Sequence, residues 1–308
     1  MAIQLPVLQF LQSVALRAER CALVVLTGVE GAAARGVGTL MAVSEGGQWS
    51  GSLSGGCVEA ALVGEAQRVL ASGQAELLRI GAGSPLIDIR LPCGSGMDLL
   101  FIPDPDPDAI AMATLMLTQR KPVAMAMHRD GKLTARAAVS GDCTGWSDAR
   151  FNLRIDPALR LVIAGHGEET RVLARLAFDW GAEVLVLSPD EGIVAKAAEF
   201  AKAALLKSPS RHDALALDPW SALVMLFHDH DWETQLLVQA LEQTPLFIGA
   251  MGSRTTHDRR LEALAAAGVK VADAARITGP IGLIPAARDP HTLALSVLAE
   301  VVAAYNAA

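Results

Sequence analysis

Cys57 lies in a glycine-rich segment that would let a reactive thiol meet a ligand. The segment runs from Gly51 to Glu59 and reads GSLSGGCVE. Gly56 suits the N-cap of a helix and Glu59 the position three residues later, which predicts Cys57 in the first helical turn. There the helix dipole lowers the pKa of a thiol and makes it a nucleophile or a soft metal ligand. Gly55 and Gly56 leave space for a ligand to approach the backbone.

Cys93 lies on a second glycine turn, Cys93-Gly94-Ser95-Gly96, between two short predicted strands. This setting is equally compatible with a site residue and with a structural one. Cys21 and Cys143 lack such surroundings and are expected to be structural. The four cysteines are widely spaced and form no CxxC pair, so neither a zinc ribbon nor a disulfide framework is predicted. Free thiols are typical of a cytosolic chain.

The segment Gly165-His166-Gly167-Glu168-Glu169-Thr170 follows a predicted strand and opens a helix. A Rossmann fold binds the phosphates of a dinucleotide at this place, and Asp190 follows the next strand where a ribose-binding acid would stand. Thr170 replaces the third glycine, however, and the carboxylates of Glu168 and Glu169 would repel a phosphate. Two interpretations remain open: a nucleotide-binding turn, or a structural turn whose acids complement the helix dipole.

The segment His228-Asp229-His230-Asp231 lies at the carboxyl end of an apolar strand predicted over residues 222–227. Ligands bind at that edge of an open α/β sheet. If the strand continued, His228 and His230 would point the same way and suit a metal ion, although no third ligand is identifiable from the sequence. A polar ligand-binding loop and a solvated helix start are the other interpretations.

The segment Gly249-Ala250-Met251-Gly252-Ser253-Arg254-Thr255-Thr256 also runs from a predicted strand into a helix. Its two glycines would let backbone amides converge on an anion, and Arg254 adds a cation with fork geometry. Ser253 or Thr255 is also expected to cap the helix. Because all three loops belong to one edge of the same predicted sheet, the sequence predicts a shared crevice.

The spacing of apolar residues divides the chain near residue 155. Before it, short apolar runs alternate with glycine-rich turns, a helix predicted over 58–70 that ends at Gly73, and a hairpin at Asp130-Gly131. After it, strands and helices alternate, which is typical of a parallel, doubly wound sheet. We therefore predict an α/β protein with an N-terminal α+β domain, residues 1–155, and a Rossmann-like doubly wound parallel-sheet domain, residues 156–308.

The composition excludes several classes of protein. The 308 residues are 52% hydrophobic and 19% charged, which is typical of a globular chain. The net charge of −7 disfavours nucleic acid and anionic membranes as partners. The N-terminal stretch does not resemble a signal peptide, and the apolar segments are shorter than the roughly 20 residues that span a bilayer. A soluble, cytoplasmic protein is predicted.

Four segments, in this order, resemble the xanthine dehydrogenase accessory protein family and its carbon monoxide dehydrogenase relatives. They are residues 51–59, 93–96, 247–255, and 279–283 followed by 295–300. The resemblance spans most of the chain. It implies an N-terminal cysteine-bearing domain joined to a Rossmann-like domain.

Members of that family bind the molybdenum cofactor, help it acquire its terminal sulfur and deliver it to apo-xanthine dehydrogenase. The resemblance implies a maturation chaperone rather than an enzyme, with a cysteine desulfurase as sulfur donor and upstream molybdenum cofactor biosynthesis proteins as partners. A homodimer is expected because a carrier must shield an oxygen-sensitive ligand.

The cofactor combines a phosphate, a hydrogen-bonding pterin and a soft, dithiolene-bound metal, so its carrier needs an anion site, polar edges and a thiolate. We expect Cys57 to lie at the molybdenum or its exchangeable sulfur, with Cys93 nearby as the weaker candidate ligand. The residues expected at the cofactor are Arg35, Gly55, Gly56, Cys57, Glu59, Cys93, Gly165, Gly167, His228, Asp229, Gly249, Gly252, Ser253 and Arg254.

Two functions of other classes remain open. A nicotinamide-dependent oxidoreductase would use Gly165, Gly167 and Asp190, although no general base is evident beside that turn. A scaffold whose sheet edges mediate assembly would bind protein and no small molecule.

Overall fold

A computed structural model describes residues 4–32, 34–56, 58–84, 94–228 and 230–307. The chain forms two compact units, Met1–Pro157 and Ala158–Ala308. This division falls next to the change in apolar spacing near residue 155. No helix among the described residues is both long enough and apolar enough to cross a membrane.

The described part of the first unit contains a five-stranded antiparallel sheet. Its strands are β1 (Cys21–Glu30), β2 (Leu40–Ser44), β3 (Trp49–Ser50), β4 (Glu76–Gly81) and β5 (Gly96–Pro103), in the spatial order β3-β2-β1-β5-β4. Its helices are α1 (Gln4–Leu16), α2 (Glu59–Ser72) and α3 (Pro107–Thr118). This sheet and its helices carry the glycine-rich segment that contains Cys57.

Successive side chains of β1 point to opposite faces of this sheet and enter different cores. Leu23 and Val25 pack with α1 and α3, whereas Ala22 and Val24 pack with α2. Strand β1 is therefore buried on both faces. This explains why its apolar run is continuous instead of alternating with polar residues.

A second antiparallel sheet completes the described part of the first unit. Its strands are β6 (Val123–His128), β7 (Leu133–Ala137), β8 (Gly145–Ser147) and β9 (Arg150–Ile155), in the order β7-β6-β9-β8. The predicted hairpin at Asp130-Gly131 is confirmed, because it joins the antiparallel strands β6 and β7 and Gly131 has a φ of +91°. Every second residue of β6 is buried, so one face of this sheet lies on the core shared with α1 and α3.

The described part of the second unit contains a six-stranded parallel sheet. Its strands are β10 (Arg160–Gly165), β11 (Glu183–Ser188), β12 (Lys202–Leu205), β13 (Ser221–Leu226), β14 (Phe247–Ala250) and β15 (Ile277–Thr278), in the order β12-β11-β10-β13-β14-β15. Strand order therefore reverses between β10 and β13, as in a Rossmann fold. The predicted α/β class, with a doubly wound parallel sheet in the second half, is confirmed.

Helices cover both faces of the parallel sheet. Helices α4 (Glu168–Trp180), α5 (Glu191–Ala198) and α9 (Pro290–Ala307) contribute to one core, and α6 (Glu233–Leu241), α7 (Arg254–Ala266) and α8 (Val271–Ala274) to the other. Strand β13 is buried along its whole length, which accounts for its uninterrupted apolar run. The carboxyl ends of β10, β13 and β14 lead into the three loops that the sequence analysis selected.

A buried ion pair connects α6 to α7. Arg260 Nε and Nη2 donate to the two carboxylate oxygens of Glu233 at 2.8 and 3.1 Å, and Nη2 also donates to the Met251 carbonyl at 2.7 Å. Both charged side chains are only 2% exposed. The pair therefore fixes the connection between β14 and α7, which contains Gly252 and Ser253.

Removing one partner of this pair should destabilise the second unit. We expect Glu233→Gln to lower the free energy of unfolding by about 3–5 kcal/mol, because it leaves the Arg260 charge buried and uncompensated. Denaturant unfolding measures the effect. Glu242→Gln, in the exposed pair of Glu242 with Arg211, is the matched control and should change the free energy of unfolding far less, because solvent screens that pair. Equal losses of unfolding free energy in the two variants would contradict a buried ion pair between Glu233 and Arg260.

Candidate functional site

The Glu59 carboxylate is the centre of a hydrogen-bond network with the described residues of the glycine-rich segment. It accepts hydrogen bonds from the hydroxyls of Ser52 and Ser54, both at 2.6 Å, and from the Ser54 N–H at 3.0 Å. The Val58 N–H donates to it at 3.2 Å. Glu59 is only 7% exposed. Glu59 was predicted to contact a cofactor; in the structure its carboxylate accepts hydrogen bonds from the loop that precedes it.

The environment of Glu59 keeps its carboxylate ionised. Burial would raise the pKa of Glu59, but hydrogen bonds from Ser52, Ser54 and the Gly56 N–H together outweigh burial and lower the pKa from 4.5 to about 2. A buried negative charge with several donors holds those donors in fixed positions. The loop is therefore ordered around an anion that belongs to the protein.

Helix α2 begins at Glu59, with Val58 at the N-cap, so the predicted N-cap at Gly56 is wrong. Gly55 and Gly56 have φ values of +78° and +112°, a region that favours glycine and ends any helical path. Both glycines are exposed, and a Cβ on Gly56 would meet no described atom within 4 Å. Cys57, on which the thiol prediction rests, lies outside the described residues.

Arg35 joins this loop to a neighbouring cavity of about 520 Å³. Its Nε donates to the Ser52 carbonyl and its Nη1 to the Ala34 carbonyl, both at 3.3 Å. A Cβ on Gly55 would lie 3.8 Å from the Ala34 side chain. Arg35, Gly55 and Gly56, three of the residues predicted at the cofactor, therefore lie together in the first unit.

The predicted site at Cys93 lies outside the described residues, but the end of its turn is described. Gly94 has a φ of +68° and Ser95 is 2% exposed. Arg79 of β4 lies beside this turn, where its Nη1 donates to Asp98 at 3.1 Å and its Nε to the Ala82 carbonyl at 2.8 Å. An ion-paired arginine therefore links the end of β4 to the start of β5.

The two other cysteines differ from each other. Cys21 is buried, and burial raises the pKa of its thiol to about 11, so the expected structural role is confirmed. Cys143 is an exposed free thiol between β7 and β8. The expectation of a structural role for Cys143 is therefore wrong.

The turn between β10 and α4 contains Gly165 and Gly167. A Cβ on Gly165 would lie 2.7 Å from the Leu226 carbonyl and from Thr170 Oγ1, so close packing alone requires glycine there. Gly167 is the N-cap of α4, with a φ of +102°. The Glu169 carboxylate folds back over this turn, within 3.1 Å of the position of a Gly167 Cβ.

Glu169 also connects this turn to the end of β13. Its Oε1 lies 2.8 Å from His228 Nε2, and the Glu169 side chain is largely buried. The His166 ring lies 5.8 Å from the His228 ring. The structure thus brings together the loop after β10 and the loop after β13. The Glu169 carboxylate lies over the glycine turn, at the place where a diphosphate would need to bind. Asp190, which stands where a ribose-binding acid would lie, caps α5 by accepting hydrogen bonds from two backbone N–H groups.

The metal geometry considered for His228 and His230 is wrong. Strand β13 ends at Leu226, and the chain enters a short 3₁₀ helix, His230–Trp232, so no continuing strand aligns the two histidines. Within the part of the chain that the structure describes, no group of three His, Cys, Asp or Glu residues is arranged to hold a metal ion. Asp229 lies outside the described residues.

Close packing constrains the glycines at the end of β14 and in the loop that follows, and an exposed arginine begins α7. A Cβ on Gly249 would overlap the Ile281 side chain, and Gly252 has a φ of +133°. Ser253 caps α7 by accepting a hydrogen bond from the Thr256 N–H at 3.1 Å, as predicted. Arg254 is the first residue of α7, is exposed, and has no side-chain hydrogen bond or ion pair with any described residue.

Comparison with known proteins identifies the family of this chain. Residues 161–301 match the model of the XdhC Rossmann domain, and residues 15–81 match the model of the XdhC and CoxI family. The molybdenum cofactor insertion chaperone PaoD of Escherichia coli (strain K12) is 34% identical over 298 residues, which cover 96% of this chain and 86% of PaoD. The chain belongs to the XdhC and CoxI family. The resemblance drawn from the four sequence segments is confirmed.

The fold of this chain is similar to that of a solved structure over almost its whole length. A protein of Bacillus halodurans, described as a xanthine dehydrogenase, has a TM-score of 0.77 with this chain. The match covers 97% of this chain and 96% of that one at 19% identity. At that identity the likeness shows a shared fold and nothing about activity.

Two of the segments on which the family resemblance rests, residues 279–283 and 295–300, are joined by a hydrogen bond. The Gly282 N–H donates to the Glu300 carboxylate at 2.5 Å, and the Ile284 N–H donates to Ser296 Oγ at 2.7 Å. Glu300 and Ser296 lie on α9, whereas Gly282 and Ile284 belong to the loop that follows β15. These hydrogen bonds, one of which comes from Ile284 just beyond the segment, fix a loop at the carboxyl edge of the parallel sheet.

Sequence reasoning missed the residues that organise these loops. Ser52 and Ser54 were quoted as part of a motif but given no role, and the pairing of Glu169 with His228 was not foreseen. Gln4, which donates to the Gly38 carbonyl at 2.8 Å, had no sequence signal because its partner lies 34 positions away. The serines had no signal either, because Ser52 and Ser54 precede Glu59 by seven and five positions, whereas a capping box has a spacing of three.

Replacing Glu59 should destabilise the loop in a pH-dependent way. The folded-state pKa of about 2 is below the ordinary 4.5, so the stabilisation is complete above pH 4.5 and is lost as the pH falls from 4.5 towards 2. We expect Glu59→Gln to lower the free energy of unfolding by about 2–3 kcal/mol at pH 7, and by clearly less at pH 3. Denaturant unfolding at both values measures this difference.

Glu65→Gln on the same helix is the control for this measurement. Glu65 pairs with Arg68 at the surface, so its loss should cost less than about 1 kcal/mol. A loss in Glu59→Gln that is the same at pH 7 and pH 3 would contradict an ionised, hydrogen-bonded carboxylate.

Proposed function

We propose that this protein carries the molybdenum cofactor as a maturation chaperone. It binds the cofactor, supports its sulfuration and inserts it into apo-xanthine dehydrogenase. The proposal is supported by PaoD, a relative over 96% of this chain that is named as a molybdenum cofactor insertion chaperone. The similarity to that relative favours an accessory role for this protein over the alternative of an oxidoreductase.

The glycine loop around Glu59 is the observation that carries this proposal. The cofactor offers a soft metal, a pterin with hydrogen-bonding edges and a phosphate, and a carrier must meet all three. The exposed backbone at Gly55 and Gly56 lets a large ligand approach closely, and Arg35 supplies a cation beside it. The buried, ionised Glu59 carboxylate accepts hydrogen bonds from the inner side of the loop. The outer side of the loop is therefore left for the ligand.

In this proposal Cys57 provides a thiolate for the molybdenum or its exchangeable sulfur, and Cys93 is a weaker second ligand. Soft metals prefer thiolate ligands, and in the sequence Cys57 directly follows the exposed residues Gly55 and Gly56. A cysteine desulfurase would supply the sulfur, and upstream cofactor biosynthesis proteins would supply the cofactor. A homodimer would shield the bound ligand.

The proposed contribution of the second unit centres on its sheet edge. Arg254 and the exposed His228 are two side chains there that a cofactor or client could reach, and Asp229 belongs to the predicted set. Gly165, Gly167, Gly249, Gly252 and Ser253 shape the loops that present them. A nicotinamide dinucleotide is disfavoured at this edge, because a carboxylate about 5 Å from a phosphate costs roughly 3 kcal/mol at an effective dielectric of about 20.

Cys57→Ala should separate the cofactor-carrier function from its alternatives. We expect the variant to bind isolated molybdenum cofactor at least about tenfold more weakly than the wild type under anaerobic conditions, because a thiolate ligand is lost. Equilibrium titration measures the dissociation constants. Cys143→Ala is the matched control, since it removes an exposed thiol of the same unit. It should bind like the wild type.

Parallel titrations with NAD(H) test the competing function. We expect no binding to the wild type, because Glu169 lies over the Gly167 turn. Binding of NAD(H) without binding of molybdenum cofactor would overturn the carrier proposal and favour an oxidoreductase. Cofactor binding that is unchanged in Cys57→Ala would remove Cys57 from the site while leaving the carrier function in place.

A further inference from the structure

A cavity in the first unit lies beside the glycine loop and has no role in the proposal above. Its volume of about 520 Å³ is within the range of small-molecule sites, about 300–1,000 Å³. Residues 34–39 form one wall, and Thr144 with the end of β9 forms the other. Gln4 fixes the first wall, since its amide donates to the Gly38 carbonyl and accepts from the Leu40 N–H.

Two arginines from different elements line this cavity. Arg35 belongs to the 34–39 wall and Arg154 to β9. The Arg35 guanidinium donates through Nε and Nη1 to backbone carbonyls, and its Nη2 has no hydrogen-bond partner among the described residues. Arg35 forms no ion pair with a described residue, so its charge is available to an anion.

The Arg154 guanidinium is held in a fixed orientation. Its Nε and Nη2 donate to the Asp156 carboxylate at 3.0 and 2.8 Å, and its Nη1 donates to the Val139 carbonyl at 3.1 Å. A guanidinium has five N–H groups, so one N–H on each Nη remains for a ligand. Asp156 also lines the cavity, and its charge is matched by Arg154; Arg35 therefore gives the cavity a net positive charge.

The backbone of the first wall adds further donors. Within the described chain, the N–H groups of Gly36 and Val37 have no hydrogen-bond partner, and both residues line the cavity. Consecutive free N–H groups beside an arginine form the kind of concave donor set that binds oxyanions. Thr39 lies on the same wall.

We propose that this cavity binds the phosphate group of the molybdenum cofactor, with Arg35 and Arg154 as its cationic contacts. The inference rests on the proposed function, and it assigns Arg154, a residue outside the motifs behind the family resemblance, to the ligand. Arg35 contacts the carbonyl of Ser52 in the glycine loop and also lines the cavity. A ligand with its phosphate in the cavity therefore extends towards Gly55 and Gly56 with its other end.

The test compares the cofactor's metal-free pterin, molybdopterin, with the same compound after phosphatase treatment. The wild type, Arg154→Met and Arg150→Met are titrated anaerobically with both ligands. Arg150 lies on the same strand, has the same charge and does not line the cavity, so Arg150→Met controls for the loss of a positive charge. Inorganic phosphate is added as a competitor, which distinguishes a site for any phosphate from one that needs the pterin.

We expect the wild type and Arg150→Met to prefer the phosphorylated ligand by at least about tenfold, as charge-assisted hydrogen bonds would give. Arg154→Met should lose most of that preference and bind the dephosphorylated ligand like the wild type. Weak competition by millimolar inorganic phosphate is expected, since free phosphate lacks the pterin contacts. Competition at micromolar phosphate would overturn the assignment in favour of a general phosphate site.

Equal binding of both ligands by the wild type would overturn this inference and leave the carrier function standing. A preference that persists in Arg154→Met would also overturn it. Failure of the wild type to bind either metal-free ligand would overturn this inference and leave the carrier function, which is tested separately with the complete cofactor, standing. If Arg154→Met does not fold, Arg35→Met decides the question, because Arg35 makes no ion pair with a described residue: a preference retained in that variant overturns the assignment, and its loss supports it.

Discussion

The hydrogen-bonded carboxylate of Glu59 is the interaction on which the candidate site depends. The loop before it contains glycines at positive φ, which lose more backbone entropy on ordering than other residues do. A buried, ionised carboxylate with donors from both serines offsets that cost. Glu59 is also the first residue of α2, whose inner face is part of a core. The Glu59 side chain thus connects the loop to a helix that packs on this core.

The second unit uses a carboxylate in the same manner at the turn between β10 and α4. Glu169 lies over Gly167 and pairs with His228, so an internal anion sits at the place where a Rossmann fold ordinarily binds phosphates. Gly165 and Gly249 are glycines because neighbouring atoms leave no room for a Cβ. A glycine-rich turn after a parallel strand is therefore weak evidence for a nucleotide when the first helical turn contains acidic residues.

The sequence predicted those features that depend on contacts close along the chain. The helix ending at Gly73, the hairpin at Asp130-Gly131, the alternation of strands and helices and the cap at Ser253 all follow from local patterns. The start of α2 was wrong because the Glu59 carboxylate gathers N–H groups that would otherwise extend the helix.

Features that depend on distant contacts were not predictable in this way. The partner of His228 lies 59 positions away, and Gln4 contacts a residue 34 positions away. The assignment of Arg154 needed the cavity itself, since β9 shows only an ordinary alternation of buried and outward residues. A single sequence has no pattern that pairs such positions before the fold is known.

The exposure of the candidate site bears on why a carrier suits this geometry better than an enzyme. Enzymes gain much of their rate from closed sites in which water is excluded and electrostatic interactions are strengthened. Here Gly55 and Gly56 are exposed, and Arg35 is only half-buried beside an adjoining cavity. Ionic contacts at such a surface are weakened by solvent, which lowers affinity but also lets a ligand leave without unfolding the loop. A protein that passes its ligand to another needs that balance, and a hydrogen-bonded loop with an exposed outer surface is consistent with it.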